Sequence, residues 1–426
     1  MALPSAPSPI TRQFRDLLLA EGANGWAVIG RMLEEPGMLD ACRGARLDLM
    51  ADSSRHHRAA AIVPLGEAMA EREMYRLQDP ALMPELFTGM SNGPGRKAHA
   101  DPALFYRTPP LTVRFVTYGA KDNGHDLFTA DGRLLVRDSS WLSMLSPSRL
   151  NPYLDPQHRF GLFMVPNERL VIQDPCLLIG GQLNHYHFLI DHLAALILAQ
   201  DIEGVAGLPV VFHRLPPVQR ELCRLFGLDP GRFIQLDHHA QEPVIAAAMT
   251  APVVPGRIPL PVCVQALRRR LGLASARARG RRRLFIGRRA AAGIAARLVD
   301  QELVGGALEP LGFEMVFPED HTAAEQRAMF GEAEIVVCAH GAALANLVFA
   351  PPTAIVVEIM GDLCHADPLD RFGCYRKLAA AIGQPYYRLV CPTLAPLPGQ
   401  AAQDRPFVCL PARLTALVAA AVDSGF

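Results

Sequence analysis

The sequence predicts an α/β fold built on parallel, doubly wound sheets, and three observations predict it. The first is the stretch from Ile335 to Glu358. The apolar run Ile335-Val336-Val337-Cys338 ends in His340-Gly341-Ala342, an Ala/Leu-rich segment follows up to Pro351-Pro352, and a second apolar run, Ala354-Ile355-Val356-Val357, ends at Glu358. That is the pattern of strand, tight turn, helix and strand. The second observation is a longer alternation of short apolar runs and helical segments around this stretch, from Leu284 to Val390. The third is another β-α-β pattern between Cys176 and Leu236. A turn like the one at His340 sets backbone N–H groups and a helix N-terminus at the carboxyl edge of a parallel sheet. The helix dipole is positive there, so such a place binds anions, phosphates above all.

In chain order, residues 1–105 read as a mostly helical N-terminal extension of unassigned role, with turn breakers at Asn92-Gly93-Pro94-Gly95. An α/β domain is expected over 106–278. In it, Leu111–Val116 alternates as a strand does, and Leu127–Val136 reads as a hairpin with Asp131-Gly132 at its turn. Cys176–Gly181 is a strand with a glycine turn, and 184–200 is a strong helix with Asn184 as its N-cap. A strand from Leu208, a helix over 217–226 and the strand Phe233–Leu236 complete β-α-β; the apolar stretch 244–254 is broken by prolines. The Arg-rich segment 268–283 reads as a helix end and linker. A second α/β domain is expected over 279–400, with strands at 284–287, 313–316, 334–338, 354–358 and 386–390 and helices at 299–311, 322–330 and 372–382. A Pro-rich stretch, 391–406, leads into a terminal helix within 401–426. Two such units with a cleft between them suit a nucleotide and a second substrate, because ligands sit outside the carboxyl ends of the strands.

The 426 residues suffice for two or three domains with a large core. Zero formal net charge speaks against broad nucleic-acid binding, so no nucleic-acid partner is expected. The nine cysteines are odd in number and form no C-x-x-C pair, which fits a reduced, cytoplasmic compartment. Residues 1–9 are polar and Pro-rich and read as no signal peptide, and no apolar run reaches the ~18 residues that span a bilayer. A peripheral association with the inner membrane stays open, as does the oligomeric state.

Three motifs together resemble glycosyltransferase family 61, whose bacterial members are often called capsular polysaccharide biosynthesis proteins. NHYHFLID at 184–191 is similar to the family's N-Y-x-H-F-L-x-D. LFIGRR at 284–289 is similar to its L-Y-I-S-R-R. VCAHGAALANLVFAPPTAIVVEI at 337–359 is similar to its V-x-G-x-H-G-A-x-L-T-N-x-x-F-x-P-P core and is the most specific of the three. The resemblance covers roughly 110–390. The chain departs from the pattern at Gly287, where Ser is usual, at Val299-Asp300, where Asn-Glu is common, and at Cys338-Ala339, where Gly-Pro or Gly-Ala is common. The resemblance implies a GT-B-like architecture: two Rossmann-like, doubly wound domains facing a cleft, with the donor on the C-terminal one. It implies an inverting transfer of a sugar from a nucleotide-sugar, expected to be UDP-linked, to a polysaccharide or glycolipid acceptor. No metal and no cofactor beyond the nucleotide-sugar co-substrate is expected.

Under that reading each motif has a role. His187 and Asp191, spaced i, i+4 on one helix face, form a general acid–base pair for the acceptor hydroxyl. Asp191 as base with His187 orienting it, or the reverse, both remain open. His185 and His192 are expected to face elsewhere. Arg288 and Arg289 would neutralise the leaving diphosphate, as a divalent ion does in metal-dependent enzymes. His340 with the N–H groups of Gly341 and Ala342 would contact the pyrophosphate. Asn346 is expected to support that turn, and Glu358 to meet ribose hydroxyls. Two rivals are carried. One is a metal-dependent hydrolase using the HYHxxxDH cluster of His185, His187, Asp191 and His192. The other is a non-catalytic nucleotide-binding subunit of a polysaccharide assembly system.

Overall fold

The computed structural model describes residues 9–21, 25–38, 46–48, 57–64, 75–76, 105–107, 111–118, 121–129, 153–155, 160–166, 168–179, 181–236, 241–245, 253–255, 260–273, 280–289, 297–366, 371–395 and 405–423. The chain divides into two compact units. One comprises Met1–Leu183, Gln200–Leu215 and Gly231–Ile258; the other comprises Asn184–Ala199, Pro216–Pro230 and Pro259–Phe426.

The first unit begins with the helices Pro9–Glu21 and Gly25–Leu33, whose Phe14, Ile29 and Leu33 are buried with Phe160 and Leu162. The expectation of a mostly helical extension over 1–105 is not supported. Among the described residues the two helices fill its first third, and the strands Arg46–Asp48, His57–Pro64 and Tyr75–Arg76 follow. Long-range pairing overrides local helix propensity here: His57–Pro64 pairs antiparallel along its length with Phe160–Pro166. A second sheet holds the hairpin of Leu111–Tyr118 with Lys121–Thr129. The Asp131-Gly132 turn expected for a hairpin lies outside the described residues. A third sheet orders Phe233–Leu236, Val210–His213, Leu177–Leu178 and Val253–Pro255 in parallel, then adds Phe105–Arg107 and Tyr75–Arg76 antiparallel.

The second unit is built on a five-stranded, all-parallel sheet: β1 (Arg282–Ile286), β2 (Phe313–Val316), β3 (Ala333–Ala339), β4 (Ile355–Gly361) and β5 (Tyr386–Cys391). Runs of Val and Ile without alternation suit strands covered on both faces, and Val336, Val337, Val356 and Val357 are fully buried. Each such side chain contributes about 1.5–3 kcal/mol over an exposed one. The crossover helices form where the sequence caps them. Thr322 opens Ala323–Gly331 with a capping box: its Oγ1 accepts the Glu325 N–H at 3.2 Å while the Glu325 carboxylate accepts the Thr322 N–H at 2.7 Å. Gly383, at φ 91°, closes Cys374–Ile382 in the left-handed conformation that glycine adopts most easily. The terminal helix Pro411–Asp423 packs Leu414, Val418 and Ala421 into the same core as Phe285, Val337 and Val357. The helical segments His187–Leu193, Ala194–Ala199, Pro217–Leu225 and Leu260–Arg270 belong to this unit as well.

The strand order is β2-β1-β3-β4-β5. The chain therefore winds one way from β1 to β2 and the other way from β3 onward. The crevice outside the carboxyl ends of β1 and β3 is the topological switch point, where open α/β sheets bind their ligands. Among the described residues no helix is long and apolar enough to cross a membrane.

Candidate functional site

A cavity of about 620 Å³ opens at that switch point, within the usual range for small-molecule sites. Ile286, Gly287 and Arg288 line it from the end of β1, and Cys338 to Ala343 line it from the end of β3. Pro318–Thr322 close it from beyond β2; His185, Arg297, Gln301, Gln326 and Asn346 line it further, and Pro217, Val218, Glu221 and Leu298 complete its wall. Every one of these residues lies in the second unit.

The turn after β3 is held from below. The His340 N–H donates to the Ile359 carbonyl at 2.8 Å, and its Nδ1 meets Glu358 Oε1 at 2.6 Å. Glu358 is fully buried and does not line the cavity, so the expectation of a ribose contact is corrected. Its oxygens are committed to His340, to the Tyr386 hydroxyl and to Arg388, whose Nε lies 3.1 Å away. The cause is local: Glu358 sits inside β4, three residues before its end, among core valines. Burial and the Glu358 charge both push the Tyr386 phenol upward, which keeps it a hydrogen-bond donor. Gly341 is extended, and a Cβ there would meet nothing nearer than the Ala339 carbonyl at 3.6 Å. The segment Ala342–Phe349 is a 3₁₀ helix rather than the expected α-helix. Its i, i+3 bonding already starts at the turn, with Leu344 N–H to Gly341 O at 3.0 Å.

The two arginines after β1 part ways. Arg288 lines the cavity, and its backbone is clamped by the Gln301 amide at 3.0 and 2.9 Å. Arg289 is not part of the lining. It grips Asp320 at 2.6 and 3.0 Å and lies 3.7 Å over the Phe317 ring. Hydrogen bonding from Arg289 holds the Asp320 carboxyl below its ordinary range. Gly287 has a steric reason to differ from the family's Ser: a Cβ there would come within 2.6 Å of Phe317 and 2.9 Å of Met315. A third arginine was missed in the sequence. Arg297 lines the cavity and donates to the His340 carbonyl at 3.2 Å.

The helix carrying the first motif starts as expected, with the Asn184 side chain accepting the Tyr186 N–H at 2.9 Å. From His187 to Leu193 it is wound as a π-helix, a rare form that concentrates at functional sites. His187 Nδ1 and Asp191 Oδ2 meet at 2.8 Å, with side chains 29% and 45% exposed. Neither belongs to the lining of the cavity, whereas His185 does. His185 thus faces away from the His187–Asp191 pair and into the cavity. Its place in the first turn, before the π segment, turns its ring toward Asn346, with Nε2 to Oδ1 at 2.9 Å. Asn346 Nδ2 reaches Gln326 Oε1 at 2.8 Å, and Gln326 Nε2 reaches the carbonyls of Pro318 and His321 at 2.8 and 3.0 Å. Asn346 and Gln326 are both buried. His192 is buried too, and among the described residues no three His, Cys, Asp or Glu side chains gather as a metal site. Tyr186 meets the edge of Tyr375 at 5.4 Å, and Tyr375 meets His340 at 5.1 Å, so an aromatic relay joins the π-helix to the turn.

The helix of the first motif and most of the cavity lining fall in a stretch that matches a glycosyltransferase model, and a glycosyltransferase uses a sugar donor and a glycan acceptor. Residues 185–357 match the family model described as Glycosyltransferase 61, and this match supports membership of glycosyltransferase family 61. The matched segment runs from His185 to Val357 and so carries His187, Asp191, Arg288, His340 and Asn346. Among curated proteins none matches the chain.

Proposed function

We propose that this enzyme moves a sugar from a nucleotide-sugar, UDP-linked, to a hydroxyl of a polysaccharide or glycolipid, with inversion at the anomeric carbon. The observation that carries this is the cavity at the β1/β3 switch point, where Arg288, Arg297 and the His340-Gly341-Ala342 turn converge. Two guanidinium groups and backbone N–H groups beside a 3₁₀ helix start are chemistry for a diphosphate. They stabilise the departing nucleotide diphosphate in place of a divalent ion, so transfer proceeds without metal. Glu358 acts from beneath, fixing the His340 ring through Nδ1. Asn346 supports the same wall from the side.

In this reading the second unit is the donor-binding domain of a GT-B architecture working in the cytoplasm, peripheral to the inner membrane. The acceptor proton goes to the His187–Asp191 pair. Asp191 holds Nδ1 of His187, which orients the ring, so His187 Nε2 takes the proton as the hydroxyl attacks. The test is turnover of a UDP-sugar panel with an oligosaccharide acceptor mixture, with product configuration read by NMR. Products of inverted configuration, formed equally in EDTA, support the proposal. Retention, or loss of turnover in EDTA, contradicts it.

A further inference from the structure

The chain Gln326–Asn346–His185 can be read in one direction only. The Gln326 side-chain nitrogen is the atom facing two backbone carbonyls, at 2.8 and 3.0 Å, because carbonyls only accept. Its oxygen therefore accepts from Asn346 at 2.8 Å, which fixes the Asn346 amide with nitrogen toward Gln326 and oxygen toward His185. That oxygen only accepts, so His185 Nε2, 2.9 Å away, must carry a proton. In the neutral imidazole the remaining nitrogen, Nδ1, is then a hydrogen-bond acceptor. Burial lowers the pKa of this histidine, which keeps it neutral, while the Asn346 bond works in the opposite direction and is the weaker influence.

The surroundings give this acceptor a purpose. Of the other polar side chains lining the cavity, Arg288 and Arg297 at the turn only donate, while the carboxylates of Glu221, Glu319 and Asp320 stand elsewhere on its wall. A diphosphate needs donors, but a sugar or ribose hydroxyl that donates needs an acceptor. We propose that His185 is a specificity-determining residue: Gln326 and Asn346 lock it as the Nε2–H tautomer, and its Nδ1 accepts a hydrogen bond from a hydroxyl of the bound nucleotide-sugar. This rests on the donor reading of the cavity and adds a role for a histidine outside the His187–Asp191 pair. A hydroxyl matched to a half-buried acceptor that the ligand itself covers discriminates, because an analogue lacking it strands that acceptor without a partner.

The experiment is nitrogen-15 NMR of histidine-labelled protein, with His185 assigned through His185→Phe, alone and with UDP, UDP-glucose and UDP-N-acetylglucosamine. Without ligand, wild type is expected to show a protonated Nε2 and a pyridine-like Nδ1, and Asn346→Leu to show averaged tautomers. On adding the probe that binds, the Nδ1 signal moves as it accepts a hydrogen bond and Nε2 stays in place. His185→Phe weakens that probe about tenfold, and His185→Asn, which restores an acceptor oxygen, recovers part of the loss. A proton on Nδ1 in the ligand-free protein overturns the proposal whether or not any nucleotide binds. A probe that binds tightly, by calorimetry, without moving Nδ1 also overturns it and leaves the donor reading intact. Binding of none of the probes sinks the donor reading and the ligand contact with it, while the ligand-free spectrum still decides the tautomer lock.

Discussion

Two histidine–carboxylate pairs stand in the same unit with nearly the same contact distance, 2.6 Å for His340–Glu358 and 2.8 Å for His187–Asp191. Their settings are opposite. Glu358 is fully buried, His340 is 9% exposed, and Tyr386 and Arg388 complete the carboxylate's partners. Asp191 is 45% exposed and sits on a π-helical segment. A buried, fully bonded carboxylate is a fixture: it holds a ring in place, and removing it strands its partners in low dielectric. An exposed pair adds little to stability and can exchange protons with what approaches it. Under the proposed function, the buried pair scaffolds and the exposed pair reacts.

The comparison can be broken most forcefully at Glu358. Glu358→Leu leaves the Arg388 charge and the His340 and Tyr386 donors uncompensated, and is expected to cost about 3–5 kcal/mol in urea unfolding. A loss below ~1 kcal/mol would show that the buried pair is not a fixture. Asp191→Asn gives the opposite signature: turnover falls about 100-fold or more, while the melting temperature and donor affinity hold. Unchanged turnover would remove this pair from the chemistry.

Arg288→Ala is expected to weaken UDP binding about tenfold. Arg289→Ala, whose side chain is spent on Asp320 and Phe317, should leave UDP affinity unchanged in the same calorimetric titration. Equal losses from both would mean that Arg289 also reaches the donor. The last prediction concerns packing beside the cavity. Gly287→Ser restores the family's residue but drives a Cβ toward Phe317, with about 1–3 kcal/mol lost to overpacking in thermal unfolding. The double variant Gly287→Ser with Phe317→Leu should recover part of that loss.

The second unit was legible in the sequence because its signals are local. Runs such as Ile335–Cys338 and Ala354–Val357, separated by a turn and closed by prolines, mark strands wherever they occur, and Thr322 with Glu325 announces a helix start. The His187–Asp191 contact and the Asn184 cap were legible for the same reason, each spanning one helical turn. What escaped depends on residues far apart in the chain. His185 meets Asn346 across 161 positions, and Glu358 meets Tyr386 and Arg388 only because β4 and β5 pair in one register. No spacing rule shows that a glutamate within an apolar strand will point down into the core rather than out to a ligand. Arg297 left a faint signal as an isolated arginine shortly before the helix Gln301–Leu308, but its reach to the His340 carbonyl is set by tertiary packing. The strands within 46–76 gave no usable pattern, since their partners lie as far away as Phe160–Pro166.

The most direct test is a thermal-shift screen of the purified protein against UDP, GDP, CMP, TDP and their common sugar conjugates, with and without EDTA. A ligand that binds only the folded protein raises its melting temperature by mass action. The account predicts a rise with uridine diphosphate and its sugar conjugates that survives EDTA and is lost in Arg288→Ala. No rise with any nucleotide, together with destabilisation by EDTA alone, would contradict it.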